Sequence, residues 1–417
     1  MTASAQSCRQ QPRANIRLAY LVSHPIQYQA PLLRRISLEP DINLTVLFGS
    51  DFSVRGYKDR GFGVEVAWDT PLLEGYCSEF LRTLRDTGEV TPIAPISRGL
   101  YRRLQQIDGS PAFDALWVHG YASVNSLQAI LAANALGIPV LLRAESWLAD
   151  RVRSPWKLTL KRVFFRLISK GIAAVLPIGT VNSEYWTYYF GSSVPQFPMP
   201  YAVNNEYFAN LATAAEPREQ ELRAELNLSP DRPVILFASK LQTRKHADHL
   251  LEAYSSFIES RSPRETPYLV IVGDGEERAT LEARTRELAL EGVRFAGFRN
   301  QSELPRFFQL ADVFVLPSRH EPWGLIVNEA MAAGCPVIVS TDVGCHRDLV
   351  EDGVDGCVFP VGNITALMDC LRRVFASPAS AATMGDRARE RIRAWTYEED
   401  VRGLRKALAA ATRLIED

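Results

Sequence analysis

Short runs of apolar, often β-branched residues alternate with longer stretches of helical period through most of the chain. In the first half the runs are Ile16–Ser23, Ile42–Phe48, Ala115–His119, Val140–Arg143 and Ala173–Ile178. In the second half they are Val234–Ala238, Tyr268–Val272, Val293–Ala296, Val313–Leu316 and Val337–Ser340. Strands separated by helical segments predict βαβ units and parallel pairing, and each set is enough for one doubly wound sheet. Between the sets, Ala209–Asp231 is rich in Ala, Glu and Arg, carries Pro217 and Pro230, and has no strand signal.

The predicted class is therefore α/β, with two Rossmann-like doubly wound domains facing a cleft. Residues 1–210 form the first domain, 211–230 a linker and 231–395 the second domain; 396–417 form a helix crossing back to the first domain, its pattern running over Tyr397–Ile415. Ligands of such sheets bind beyond the carboxyl ends of the strands, so the residues that follow strands are the ones to inspect.

Length and charge narrow the picture. A chain of 417 residues exceeds one ordinary core. Lys+Arg 47 against Asp+Glu 48 leaves a formal net charge of -1, which gives no global attraction to nucleic acid. The opening MTASAQSCRQQPRAN is polar and lacks the apolar centre of a signal peptide, and no run of about 18 apolar residues predicts a membrane span. Cys8, Cys77, Cys335, Cys345, Cys357 and Cys370 form no C-x-x-C pair and no zinc-ligand spacing, so they read as thiols of a reducing compartment, with the cytoplasm as the expected location.

The most informative run starts just after Val313–Leu316, at Ser318-Arg-His-Glu-Pro-Trp-Gly-Leu-Ile-Val-Asn-Glu-Ala-Met-Ala-Ala-Gly-Cys-Pro-Val-Ile-Val-Ser340. Pro322 and Gly324 predict a tight turn into an apolar helix, Leu325–Ala333, with Gly334 ending it and Pro336 opening the next strand. The unpaired N–H groups of that helix start suit a phosphate. A solvated carboxylate is the ordinary reading of any Glu. Glu329, however, lies in an otherwise apolar helix, where an unpaired carboxylate is costly and a pair of ligand hydroxyls would serve it.

The form E-P-x-G-L-x-x-x-E-A-M-A-x-G-x-P-V resembles retaining glycosyltransferases of the GT-B fold, most closely glycosyltransferase family 4 (glycosyl transferases group 1). The resemblance is strong over Val234–Phe359 and looser before it. It implies that Glu321 holds hydroxyls of a donor sugar, that backbone N–H groups around Trp323, Gly324, Leu325 and Ile326 hold the sugar and diphosphate, and that Glu329 accepts both ribose hydroxyls. Ser239-Lys-Leu-Gln-Thr-Arg-Lys-His246 is similar to the family's G-R-L-x-x-x-K-G. Lys240 stands where the family usually has Arg, and Lys245 matches its Lys; together they would clamp the diphosphate.

Further calls follow the strand ends. Gly273, in Gly273-x-Gly275, is by itself a weak dinucleotide signal; in the family this turn lines the nucleotide pocket, with Phe298 and Arg299 near the base. His119, before Gly120, matches the family's cleft histidine, which reaches the donor sugar. Ser23, His24 and Gln27 occupy the first strand-to-helix turn, where many members carry glycines; Ser23 and His24 are assigned to the donor and Gln27 to the acceptor. Arg143 and Glu145 also end a strand and are assigned to the acceptor side. From Arg151 to Lys170 no acidic residue interrupts seven basic ones. Leu160, Val163, Phe164, Leu167 and Ile168 fall on one side of a helix there, either packing on the domain or meeting anionic lipid.

The resemblance thus implies metal-independent transfer, with no cofactor beyond a UDP- or GDP-sugar as co-substrate and no metal ligands. A hexosyl or N-acetylhexosaminyl unit would pass to a hydroxyl of a carbohydrate, a lipid-linked glycan or a small molecule, in bacterial polysaccharide or glycoconjugate biosynthesis. The expected location is cytoplasmic, with peripheral contact at the inner membrane face. The alternatives are an NAD-dependent Rossmann oxidoreductase, disfavoured by the missing G-x-G-x-x-G after the first strand, and a catalytically inactive sugar-nucleotide-binding protein.

Overall fold

The computed structural model describes residues 15–58, 61, 63, 65, 66, 68–148, 154–259, 261, 262 and 265–416. These contain two six-stranded sheets in which every pairing is parallel. The first sheet holds β1 (Ile16–Val22), β2 (Ile42–Phe48), β3 (Cys77–Phe80), β4 (Ala115–His119), β5 (Val140–Arg143) and β6 (Ala174–Val175). The second holds β7 (Val234–Ala238), β8 (Tyr268–Val272), β9 (Val293–Gly297), β10 (Val313–Leu316), β11 (Val337–Ser340) and β12 (Gly356–Phe359). Spatially the first runs β3-β2-β1-β4-β5-β6 and the second β9-β8-β7-β10-β11-β12, one order used twice. It is the Rossmann order, with a topological switch point between the first and fourth strands of each sheet.

The strand residues explain why both sheets lie between helical layers. Leu18, Tyr20 and Val22 enter one apolar cluster, and their neighbours Ala19 and Leu21 enter another on the opposite face. Val234, Leu236 and Ala238 likewise part from Ile235 and Phe237. A strand apolar on both faces is stable only when covered on both, as parallel βαβ winding provides. Of the four edge strands, β3 and β12 carry weak signals, being the short Cys-Ser-Glu-Phe and a run opening with Gly356.

The stretch read as a linker contains helices Asn205–Ala215 and Glu219–Glu225. Phe208, Ala212, Leu222, Leu226 and Leu228 from it pack in one cluster with the β7 residues Val234, Leu236 and Ala238. Its polar composition covers a single buried stripe, which is what a surface helix needs. The last helix, Tyr397–Glu416, lays Val401, Leu404, Ala407, Leu408 and Ala411 against Leu18, Tyr20 and Leu44 of the first sheet. Among the described residues no helix is long and apolar enough to cross a membrane.

A buried ion pair fastens that last helix. Arg143, at the end of β5, lies 3.0 Å from Asp400 with both side chains shielded from solvent, and it also donates to the carbonyls of Met199 (2.7 Å) and Pro200 (3.2 Å). Asp400→Ala leaves the Arg143 charge uncompensated in the core and is expected to cost about 3–5 kcal/mol. The double variant Arg143→Met with Asp400→Leu should recover much of that loss in equilibrium urea unfolding. An Asp400→Ala protein that unfolds with the wild type would remove the pair from this role.

Candidate active site

The two switch points set the walls of the cleft. On the second-sheet side the chain leaves β7 into a loop whose 3-10 turn, Thr243–Lys245, carries two cations toward the end of β10. There Glu321 accepts from the Lys245 ammonium and lies 3.2 Å from the Arg244 guanidinium. Glu321 is fixed through its backbone, its N–H donating to the Asp342 carbonyl (3.0 Å) and its carbonyl accepting from the Gly344 N–H (2.9 Å). His320, just before it, sits at φ 55, a left-handed conformation uncommon outside glycine and often concentrated at functional sites.

Gly324 starts the helix Leu325–Ala332 at φ 93. A Cβ there would lie 2.9 Å from the Val343 side chain and 3.6 Å from Cγ of Glu321, so the Glu321 side chain runs beside this helix start. The leading N–H groups of a helix have no intrahelical partner, and its dipole favours negative charge at that end.

Two glutamates on this turn and helix are shifted in opposite directions. Burial alone would raise the Glu321 carboxyl, but Lys245 and Arg244 outweigh it and hold the group below the usual carboxylate range. Burial, together with Arg244 and Lys240, draws the Lys245 ammonium down, against the pull of Glu321. Among the described residues, no cation acts on Glu329. Burial pushes its carboxyl up to about 7, opposed only by a bond from Gln301, whose amide donates at 2.9 Å. The same Gln301 accepts from Gln27 (2.7 Å) and Thr70 (3.2 Å) of the first domain, so a polar chain crosses the cleft to Glu329.

On the first-sheet side His119 ends β4 within 3.3 Å of the buried amide of Gln29, which in turn accepts from the Tyr20 hydroxyl at 2.6 Å. Burial lowers His119 to about 4 despite Glu145 nearby, and burial beside the His119 ring lowers His24 to about 4, so both rings are neutral at physiological pH. Ser23 bonds His24 at 2.9 Å, and His24 stacks on Phe52. A cavity of about 330 Å³ opens beside Ser23 and His119, walled by Pro92, Pro95, Ser123 and Ser126, and among the described residues none that lines it is charged.

Several sequence-assigned residues have other work. Arg143 is the buried anchor of the last helix rather than a cleft residue. Glu145 accepts from Tyr28 (2.6 Å) and Tyr201, and Gln27 is bonded to Gln301. The Trp323 side chain is buried, stacks on Trp395 with centroids 5.6 Å apart and donates to Asn328 at 3.0 Å, so only its backbone is available to a ligand. Leu325 and Ile326 are partly buried against the same core. Arg299 is taken by Glu225 (2.7 Å) and Glu303 (3.3 Å), while Phe298 beside it is half-buried. At Gly273 a Cβ would fall 1.9 Å from the Ser239 carbonyl, so this glycine lets the β8 turn pack on the loop that carries Lys240 and Lys245. Arg244 and Gln301 were not singled out from the sequence; Arg244 was in view between the two assigned lysines, whereas nothing local marked Gln301.

Donor atoms of His246, Asp248 and His249 lie within 4.8 Å of one another. The two imidazoles are stacked at 4.1 Å and 18°, which sets their in-plane lone pairs side by side rather than convergent on one ion.

Residues 218–391 match the sequence profile of the family described as glycosyl transferases group 1. Over 174 residues the chain is 31% identical to alpha-D-kanosaminyltransferase of Streptomyces kanamyceticus, covering 42% of this chain and 44% of that protein. Over 238 residues it is 32% identical to a GDP-mannose-dependent alpha-mannosyltransferase of Mycobacterium tuberculosis, covering 55% and 51%. The chain thus spans about half the length of the curated relatives it matches. Among solved structures, Anabaena HepE in complex with UDP-glucose aligns over 95% of this chain and 100% of that one, with TM-score 0.67 at 16% identity. Sucrose-phosphate synthase from Thermosynechococcus elongatus aligns over 94% and 98%, with TM-score 0.66 at 19% identity. These likenesses establish the GT-B fold.

Glu329 sets a pH test on the unliganded protein. Its folded value, about 7, lies above its ordinary 4.5. The stability it contributes is therefore complete below that ordinary value and is lost as pH rises through about 7. Glu329→Gln should stabilise the unliganded chain by up to about 3 kcal/mol above neutrality, with the gain vanishing in mild acid. Chemical denaturation across pH measures this; a gain independent of pH would show that the carboxyl stays ionised.

Proposed function

We propose that the chain, whose residues 218–391 match the profile of the glycosyl transferases group 1 family, moves a hexosyl or N-acetylhexosaminyl unit from a UDP- or GDP-sugar to an acceptor hydroxyl, with retained anomeric configuration. The observation that carries this reading is the ionised Glu321 held by Lys245 and Arg244 beside the helix start at Gly324. An ionised carboxylate is an acceptor only, and it can take two sugar hydroxyls at once. Lys245, Arg244 and the N–H groups around it are preorganised for the charge that develops on a departing diphosphate. The second carboxyl, Glu329, lies further along the helix and is assigned to the ribose.

With both glutamates holding hydroxyls, the reaction proceeds by same-face substitution. The acceptor oxygen bonds to the anomeric carbon as the bond to the phosphate oxygen breaks, and the leaving phosphate takes the acceptor's proton. Neutral His119 serves as a hydrogen-bond partner for a sugar hydroxyl. Leaving-group charge is met by Lys240, Lys245 and the helix dipole, without a metal. The named complexes of HepE with UDP and UDP-glucose support a nucleotide-sugar donor.

The cavity beside Ser23 and His119 supports an uncharged acceptor group. Most of the leading N–H groups of the neighbouring helix Val124–Ala135 are already used, Val124 by the Pro92 carbonyl and Ser126 by the Ser123 hydroxyl, and among the described residues no cation lines the cavity. A phosphorylated acceptor would lose hydration there without compensation. A carbohydrate or lipid-linked glycan at a cytoplasmic membrane face completes the reading.

Glu321→Ala should lower turnover by at least about a hundredfold, as loss of a preorganised transition-state contact does. Near-wild-type transfer would refute its role. Thermal-shift screening should give stabilisation by UDP or GDP and none by NAD; stabilisation by NAD alone would favour the oxidoreductase. Glu329→Gln should weaken the nucleotide shift more than it lowers saturated turnover, and chelator should leave transfer intact, strict dependence on a divalent ion being the contrary result.

A further inference from the structure

Within the basic segment, Arg151 and Arg153 lie outside the described residues, but the helix Pro155–Ile168 is described, and it turns its apolar residues both ways. Inward, Phe165 is fully buried, with Phe164 and Ile168 packed on the first-domain core. Lys161 also turns inward, its ammonium 4.7 Å from the Tyr185 ring centre and 5.2 Å from that of Tyr189.

Outward, Trp156 is 64% exposed, Leu160 62%, Val163 50% and Leu167 69%. Steps of four, three and four residues set these side chains in one line, about 16 Å long, along the solvent side of the helix. Single exposed apolar residues are ordinary on a protein surface, whereas four in register are not. Lys157, Arg166 and Lys170 are exposed along the same segment, and the sequence from Arg151 to Lys170 holds no acidic residue.

We infer that this face docks on an anionic lipid surface, with Trp156, Leu160, Val163 and Leu167 entering the boundary between headgroups and acyl chains and Lys157, Arg166 and Lys170 meeting headgroup phosphates. The charge complementarity selects lipid as the occupant. A stripe of this width with Lys157, Arg166 and Lys170 exposed along it matches an anionic interface, and long basic side chains reach headgroups while their stems lie along the apolar layer. The inference deepens the reading of a cytoplasmic enzyme at a membrane face. It does not depend on the transfer reaction, because the donor-side residues Lys245, Glu321 and Glu329 lie in the second domain.

Flotation of the full chain with vesicles tests it. Recovery is expected with phosphatidylcholine vesicles containing phosphatidylglycerol, not with phosphatidylcholine alone, and should fall as salt rises. Leu160→Ser with Leu167→Ser should cut recovery at least about tenfold, since two exposed leucines lose their transfer into the apolar layer. The thermal midpoint should stay unchanged because neither side chain packs inward. Arg166→Glu with Lys170→Glu should abolish recovery with the anionic vesicles. Equal recovery from both vesicle types, none from either, or wild-type recovery of the serine variant would overturn the proposal. So would a wild-type dimer in sedimentation that the serine variant dissolves, which would assign the stripe to a second copy. Absence of a UDP or GDP shift alongside normal flotation would fault only the transferase reading.

Discussion

Everything chemical in this protein depends on one topological constraint, the reversal of winding at the centre of each sheet. Right-handed crossovers that run outward in both directions from β1 and β4, and again from β7 and β10, send their helices to opposite faces and leave a crevice at the carboxyl ends of the central strands. Ser23, His24, Gln27 and His119 flank the first crevice; Lys240, Arg244, Lys245 and Glu321 flank the second. Cross-domain bonds, including Gln27 to Gln301 and the Thr180 hydroxyl to Asp348 at 2.6 Å, hold the two crevices in register.

Given that scaffold, the site is differentiated by where cations stand. Glu321 and Glu329 are the same residue type, both are withdrawn from water, and both would be neutralised by burial alone. The turn after β7 delivers Lys245 and Arg244 to one of them only. The result is an ionised acceptor of hydroxyls beside the helix start and a protonatable carboxyl further along the same helix. Close packing maintains this asymmetry: without a side chain at Gly273, the turn after β8 presses on Ser239 and supports the cationic loop from behind.

The fold was largely legible in the sequence because buried parallel strands are written as unbroken apolar runs. Ten such runs were readable, and strands β3 and β12 were not, the first a four-residue run of mixed polarity and the second a four-residue run opening with Gly356. The helices around Phe208 and Leu222 were not legible for a related reason: they bury one narrow stripe and otherwise look like solvent-facing chain. At the site, residues adjacent in sequence to a recognisable motif were found, as with Glu321, Glu329 and Lys245. Partners brought in by tertiary structure were not, as with Gln301, whose three contacts come from residues distant in the chain. Arg143 shows the converse limit. Its place at a strand end reads as functional, but its geometry is set by Asp400, which lies 257 positions away.

The helix Pro155–Ile168 shows how far periodicity alone can go. Its sequence has apolar residues around much of its circumference, so helical phase cannot decide which arc faces the core. Phe165 meets Tyr185, Trp186, Tyr189 and Phe190, with ring centres 4.6–6.0 Å away, and this aromatic cluster fixes the inward arc. Lys161 comes inward with it because the faces of Tyr185 and Tyr189 receive its ammonium in place of water. Once that arc is chosen, Trp156, Leu160, Val163 and Leu167 have no direction left but outward. The aromatic packing of the first domain thus determines that an apolar line, with cations along its sides, is presented at the surface.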